Sequence, residues 1–145
     1  MKVTRSRRVR APTGRVWGMI ADAHQLPRWW PRTTRVEGVS SSGWTSVLVS
    51  DRGRSVRMDW RVEQTDAPRL RVFSQELAGS PFERLMDSHH VRLRLAPDDD
   101  GSRIEIEIER RLRGWARMAP FLVRRAARQE ADGALAGLAA AVERD

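Results

Sequence analysis

The stretch that decides the fold is HHVRLRLAPDDDGSRIEIEIERRL, residues 89–112. Isoleucine alternates strictly with glutamate over 104–109, and valine or leucine alternates with arginine over 91–95. Alternation with period two gives a strand one apolar face and one charged face. Turn-forming residues at 97–101 separate the two runs. The stretch therefore predicts two antiparallel strands that share an apolar inner face.

Upstream, residues 34–88 break into short segments at similar turn signals. Val56, Met58, Trp60 and Val62 share one face of such a segment. The first ten residues predict a further strand, which gives an antiparallel sheet of about seven strands. Two short helices come between, one opening near Thr13, which is able to cap it, and one limited to a turn or two by the prolines of the 24–31 bend.

From about residue 115 the pattern becomes helical, with apolar residues every three or four positions. Because a sheet with one apolar face must be covered, and no other element is large enough, this helix is expected to pack on the sheet. The sequence thus predicts an α+β helix-grip fold. Two small residues on the inner stripe, Ala127 and Ala131, either leave a cavity or let the helix approach the sheet closely.

The length of 145 residues fits one domain, residues 1–145, and 40% hydrophobic residues are enough for an ordinary core. No cysteine is present, which excludes disulfides and thiolate chemistry. The basic N-terminus has no apolar stretch behind it, and the longest apolar run, 134–142, is too short to span a membrane. We expect a cytoplasmic protein.

The net charge of +8 comes almost entirely from arginine, since Lys2 is the only lysine. Clustered arginine would indicate an anionic partner such as RNA or acidic lipid. A compositional bias toward arginine and alanine codons is the alternative. The arginines occur in every segment, and this spread favours the compositional explanation.

Several residues of the first third carry a resemblance to a known family: Ala11-Pro12, Val16-Trp17, Asp22 and the bend LPRWWP at 26–31. With the order of elements, they resemble the START-like or SRPBCC superfamily, in particular its polyketide cyclase/dehydrase group of small bacterial proteins. The resemblance covers the whole chain. It implies a cavity between sheet and terminal helix for a lipid-, quinone- or polyketide-like molecule, and some members cyclise or aromatise polyketides.

The alternation of side chains between the two faces of a strand identifies the candidate catalytic residues. If Val91, Leu93 and Leu95 are buried, Asp87 and His89 should point to the same concave side. On the next strand, Arg110 comes two residues after Ile108, so its side chain should point to the same inner face as the isoleucines. His89 would act as a general acid or base near neutral pH, tuned by Asp87 or Arg110. Alternatively, these side chains lie at the open end of the sheet and meet water.

The candidate ligand-binding residues add the inner-face pair Met58 and Trp60, and Trp30 in the bend. The adjacent Trp29 and Trp30 either pack in the interior, which is the favoured alternative, or divide so that an exposed one lies at the mouth of a cavity. The full predicted set is Met58, Trp60, Asp87, His89, Val91, Arg110 and Trp30. With three histidines and no cysteine, the sequence offers few side chains that could bind a metal ion. It also contains no glycine-rich phosphate-binding loop and no GxSxG nucleophile turn. No metal and no cofactor is predicted.

Three functions remain open at this point. The first is binding of a hydrophobic or aromatic small molecule under the terminal helix. The second is a polyketide cyclase, aromatase or dehydratase that uses the same pocket, where proximity supplies much of the rate. The third is a basic surface module that docks to RNA, a ribosome or an acidic membrane. A monomer and a homodimer are both compatible with the sequence.

Overall fold

The computed structural model describes residues 1–143 and contains a curved, seven-stranded antiparallel sheet. The strands follow the alternating segments of the sequence: β1 Lys2–Val9, β2 Thr33–Glu37, β3 Gly43–Val49, β4 Ser55–Asp66, β5 Leu70–Glu76, β6 Met86–Asp98 and β7 Gly101–Leu112. Their spatial order is β1-β7-β6-β5-β4-β3-β2. Strands β2 to β7 therefore form a meander, and β1 pairs with β7 at one edge of the sheet. The prediction of about seven antiparallel strands is confirmed.

Three α-helices complete the fold: α1 Thr13–Ile20, α2 Leu26–Trp29 and α3 Pro120–Glu143. Short 3₁₀ turns occur at Ala23–Gln25, Pro81–Arg84 and Gly114–Met118. The capping prediction for Thr13 is wrong, because Pro12 is the N-cap and no side chain caps the helix. Helix α3 opens at Pro120, where a missing N–H costs nothing, so the helical pattern seen from 115 includes a separate turn.

The hairpin that decides the fold forms the centre of the core. Val91 pairs with Ile108 and Leu93 with Ile106, and all four side chains are fully buried. Their apolar faces lie under α3, which presents mainly alanine and leucine to them. Fully burying one such side chain contributes about 1.5–3 kcal/mol. This strict alternation therefore supplies a large part of the core.

Small residues on α3 allow close packing. Ala127 and Ala131 are fully buried. Further along, a Cβ added at Gly137 would overlap the carbonyl oxygen of Trp29 and lie 3.1 Å from both its carbonyl carbon and its Cα. The helix therefore approaches the backbone of α2 closely at Gly137, and Ala127 and Ala131 are both covered by their surroundings.

Aromatic rings fill the interior beside β3, β4 and β5. Trp44 and Trp60 stack with centroids 6.4 Å apart, and Phe73 meets both of them edge-on at 5.1 and 5.2 Å. Trp29 and Trp30 are both buried, which is the favoured of the two alternatives for the bend. Because these rings occupy the middle of the interior, the remaining space lies where α3 begins.

Candidate ligand-binding site

An open recess of about 370 Å³ lies between the Pro81–Arg84 turn, the start of β6, the end of β7 and the start of α3. We call it the apolar recess. Its wall is apolar except for His89 and Arg110. The lining residues are Met58, Phe82, Leu85, Met86, His89, Arg110, Leu112, Trp115, Ala116, Ala119, Leu122, Val123 and Ala126.

A β-bulge at the start of β6 decides which side chains enter the recess. Met86 pairs with Leu112 and Ser88 with Arg111, so Asp87 is an extra residue without a partner across the ladder. A bulge interrupts the alternation of faces. Met86 and His89 are consequently both buried in the recess wall, at 8% and 2% exposure.

The prediction that Asp87 shares the inner face with His89 is therefore wrong. Asp87 is exposed and does not line the recess. Its carboxylate lies 3.7 Å from the Arg113 guanidinium on the outside of the sheet. Side chains alternate between the two faces as predicted from His89 to Leu95. The alternation is interrupted at the bulge, because the prediction assumes continuous pairing of β6 with β7.

A chain of polar contacts forms the inner end of the recess. Arg110 Nε donates to His89 Nε2 at 3.1 Å, and Arg110 Nη2 donates to Glu130 Oε1 at 2.5 Å. The other carboxylate oxygen of Glu130 accepts from Trp30 Nε1 at 3.2 Å. This network ties β6 and β7 to α3 and to the bend at residues 26–31.

The network assigns the tautomer of His89. Because Nε2 accepts from Arg110, the ring proton is on Nδ1, which donates to Gln75 Oε1 at 2.8 Å. Burial holds the pKa of His89 well below its ordinary value, and the positive charge of Arg110 lowers it further. His89 is thus a neutral ring at physiological pH, with both nitrogens already engaged.

Among residues 1–143, Arg110 is the one charged group that lines the recess. Only 14% of its side chain is exposed, and Glu130 compensates its charge. A guanidinium carries five N–H donors. Two of them are used by His89 and Glu130, and within residues 1–143 the others have no side-chain or backbone acceptor. Arg110 is therefore a neutralised cation that lines both the recess and the open groove beside it, and it has donors that the described residues do not use.

The structure separates the remaining predicted residues into wall and support. Met58 lines the recess together with His89 and Arg110. Trp60 lies behind His89, with ring centroids 5.0 Å apart. Val91 is fully buried one position further along the inner face of β6, and Trp30 is held behind Arg110 through Glu130. These three residues support the wall and do not line it.

Sequence reasoning missed most of the wall. The missed residues come from 82–86 and from 112–126, where the chain changes between strand, turn and helix and no single period applies. One signal was available: Trp115, Met118, Phe121 and Leu122 are more large apolar residues than one helix face requires.

No group of three or more histidine, aspartate or glutamate side chains converges within residues 1–143 in a way that could hold a metal ion. None of the described helices is long and apolar enough to cross a membrane.

A curved antiparallel sheet closed by a long C-terminal helix defines the helix-grip class of folds. The family model described as "Polyketide cyclase / dehydrase and lipid transport" matches residues 1–143. The chain belongs to this family.

Solved structures agree in fold at low sequence identity. BexL, a di-domain ARO/CYC from the BE-7585A biosynthetic pathway, has a TM-score of 0.81 and 16% identity over 99% of this chain, which spans 50% of BexL. A START superfamily protein from Mycobacterium smegmatis has a TM-score of 0.78 and 13% identity over 99% of this chain and 97% of its own. Ara h 8.0201 has a TM-score of 0.80 and 16% identity over 100% and 99% of the two chains. A search of curated proteins gave no significant match.

Proposed function

We propose that this protein binds a small apolar or aromatic molecule in the apolar recess, with an oxygen atom of the ligand facing Arg110. The observation that carries the proposal is an apolar wall that ends on one neutralised cation with unused donors. A volume of about 370 Å³ is near the lower end of the range of roughly 300–1,000 Å³ found for ligand pockets. A lipid-, quinone- or polyketide-like compound of modest size fits this description.

The two halves of the recess select for different parts of the ligand. Apolar contact contributes about 25 cal/mol for each Å² of surface removed from water. A partly buried donor that loses water without gaining an acceptor costs about 1–3 kcal/mol. A ligand with a carbonyl, carboxylate or phenolate oxygen satisfies Arg110, whereas a pure hydrocarbon of the same shape does not. We therefore expect oxygen-bearing ligands to bind more tightly than matched hydrocarbons.

The family and its neighbours support a function of this kind. The family description joins polyketide cyclases and dehydrases with lipid transport, and two neighbours, BexL and StfQ, are di-domain ARO/CYC proteins of biosynthetic pathways. The family description names polyketides and lipids, which are largely apolar compounds, and specifies no single one. The wall of this recess is therefore the better guide to the ligand.

The enzymatic alternative, a cyclase, aromatase or dehydratase with His89 as proton shuttle, has less support. A general acid near neutral pH needs a pKa near the working pH, while burial and Arg110 keep His89 neutral. Its Nε2 lone pair is engaged by Arg110 and its Nδ1 proton by Gln75. Asp87, the other predicted catalytic residue, lies outside the recess. His89 is better suited to orienting Arg110 than to moving a proton.

The test is a displacement assay with a fluorescent apolar dye, followed by calorimetry with matched ligands. Ala126 lines the recess and Ala136 is an exposed residue of α3 away from it. We expect Ala126→Trp to weaken dye binding at least tenfold and Ala136→Trp to leave it unchanged. A long-chain fatty acid should bind more tightly than the alkane of equal length. Equal dye binding by Ala126→Trp and the wild type would contradict the proposal.

A further inference from the structure

Four large apolar side chains project into solvent where the Gly114–Met118 turn meets α3. Trp115, Met118, Phe121 and Leu122 are 68%, 87%, 74% and 64% exposed, and they are the exposed large hydrophobic residues of the described chain. We call them the apolar knob. Single exposed apolar residues are ordinary, but a contiguous group marks an interaction site. The knob is a surface that requires a partner.

The same segment carries an unneutralised positive charge. Residues 111–128 contain six arginines and no acidic residue. Arg113 has a carboxylate within 4 Å, that of Asp87. Within residues 1–143 no carboxylate lies that close to the other members of the group, which we call the basic collar: Arg111, Arg117, Arg124, Arg125 and Arg128.

Several arginines of the sheet are different, because a nearby carboxylate compensates their charge. Arg92 lies 2.9 Å from Glu107, and Arg94 lies 3.2 Å from Glu105. Arg61 pairs with Glu76 on the neighbouring strand. The even spread of arginine along the sequence therefore does not produce an even surface. A substantial part of the excess charge lies beside the apolar knob.

The knob and the collar interleave on one surface. Along α3, Phe121, Arg125 and Arg128 are spaced by four and three residues, which places them on one helix face. On one flank, Arg111, Arg117 and Arg124 line an open groove together with Phe121. Glu109 also lines this groove, but its carboxylate is engaged by Arg92 at 3.1 Å. Apolar and cationic groups thus face the same direction within a few residues.

We propose that the apolar knob and the basic collar dock this protein onto the surface of an anionic phospholipid bilayer. In this arrangement the knob enters the boundary between headgroups and acyl chains, and the collar contacts lipid phosphates. Each component has a place there: the apolar side chains leave water, and the arginines gain counter-charge. Charge complementarity with the lipid surface is the argument for this partner.

Two other partners fit the surface less well. A second copy of the chain would bring two basic collars together, and like charges at an interface cost several kcal/mol. An RNA would use the arginines and could stack on Trp115 or Phe121. It would leave Met118 and Leu122 without a role, although Met118 is the most exposed of the four.

Docking in this orientation would bring the recess to the membrane. Trp115 and Leu122 belong both to the knob and to the wall of the apolar recess. The mouth of the recess would therefore lie at the lipid surface. The docking proposal does not depend on a ligand in the recess, and it is tested with empty protein.

The experiment is vesicle flotation with two lipid compositions. We expect the protein to float with vesicles of equal phosphatidylcholine and phosphatidylglycerol, not with phosphatidylcholine alone, and binding to weaken as salt is raised. The double variant Met118→Ser/Phe121→Ser should lose flotation. The double variant Arg117→Gln/Arg125→Gln should bind about thirtyfold more weakly, from about 1 kcal/mol for each arginine near an anionic surface.

A charge-matched control separates docking from general attraction. Arg52→Gln/Arg54→Gln makes the same change in net charge in the exposed turn between β3 and β4. It should reduce flotation by less than threefold. All variants replace exposed residues, and circular dichroism and thermal unfolding check that each one is folded.

Four outcomes would overturn the proposal. The first is equal flotation with both lipid compositions, and the second is an equal loss of flotation in the charge-matched control. The third is salt-sensitive binding to a single-stranded RNA oligonucleotide without vesicle binding. The fourth is a dimer in sedimentation that disappears in Met118→Ser/Phe121→Ser, again without vesicle binding. Loss of dye binding in the recess would leave docking intact, so the two proposals fail separately.

Discussion

Replacement of Gly137 by alanine tests whether close approach of α3 holds the molecule together. In a helix, glycine to alanine ordinarily stabilises by about 1 kcal/mol. At Gly137 the new methyl group would overlap the carbonyl oxygen of Trp29 and lie 3.1 Å from its carbonyl carbon and its Cα. All of these are backbone atoms, so relief requires moving α2 away from α3.

Overpacking of this kind costs about 1–3 kcal/mol. With the gain in helix propensity subtracted, we expect Gly137→Ala to lower the free energy of unfolding by about 1 kcal/mol net, with an upper limit of about 2 kcal/mol. For a chain of this size that corresponds to a fall in Tm of about 2–6 °C. Urea denaturation followed by tryptophan fluorescence measures the change directly.

The matched control is Gly18→Ala in α1. No atom lies within 4 Å of a Cβ built at Gly18. This variant should therefore show the ordinary gain of up to about 1 kcal/mol. If Gly137→Ala is as stable as Gly18→Ala, the contact between α2 and α3 does not resist an added methyl group, and the reasoning about close approach fails.

Three further predictions concern the recess and the core. Because the pKa of His89 is lowered in the folded protein, only the unfolded state takes up its proton as the pH falls below about 6.5, so the free energy of unfolding should decrease there by up to about 1.4 kcal/mol per pH unit. Chemical denaturation from pH 7 to 4.5 should show a shallower decrease in His89→Gln, and equal slopes would contradict a buried neutral ring. Asp87→Asn should change stability by less than about 0.5 kcal/mol, because the carboxylate is exposed, and should leave dye binding in the recess unaltered; loss of dye binding would return Asp87 to the site. Ile106→Ala should cost about 2–5 kcal/mol in a urea titration, since Ile106 is fully buried opposite Leu93, and a cost below 1 kcal/mol would mean that the hairpin is not the centre of the core.

The candidate site was predictable in part, and the errors have local causes. His89 and Arg110 were found by parity because they continue uninterrupted apolar runs into the recess. Asp87 was misplaced because a bulge depends on how β6 pairs with β7, and a single strand carries no mark of it. The wall contributed by 112–126 was missed because the chain changes there from strand to turn to helix.

The charge distribution on the surface was likewise predictable only in part. The sequence contains the arginines, but it does not reveal which of them meet a carboxylate from another strand. Arg92 and Arg94 are paired across the ladder with Glu107 and Glu105. Arg117 and Arg125 lie beside the apolar knob, with no carboxylate within 4 Å in the described part of the chain. The contrast exists only in three dimensions.

The amino-acid sequence is sufficient to define the strands and helices and the apolar face of each. Strands with period two and a helix with period three to four follow from local geometry, and one apolar sheet face then requires one covering helix. Only the folded structure determines the protonation of His89, the exclusion of Asp87 from the recess, and the solvent exposure of the knob. Each of these depends on atoms from segments far apart in the chain, because burial and electrostatic pairing are properties of the space around a residue and not of its neighbours in sequence.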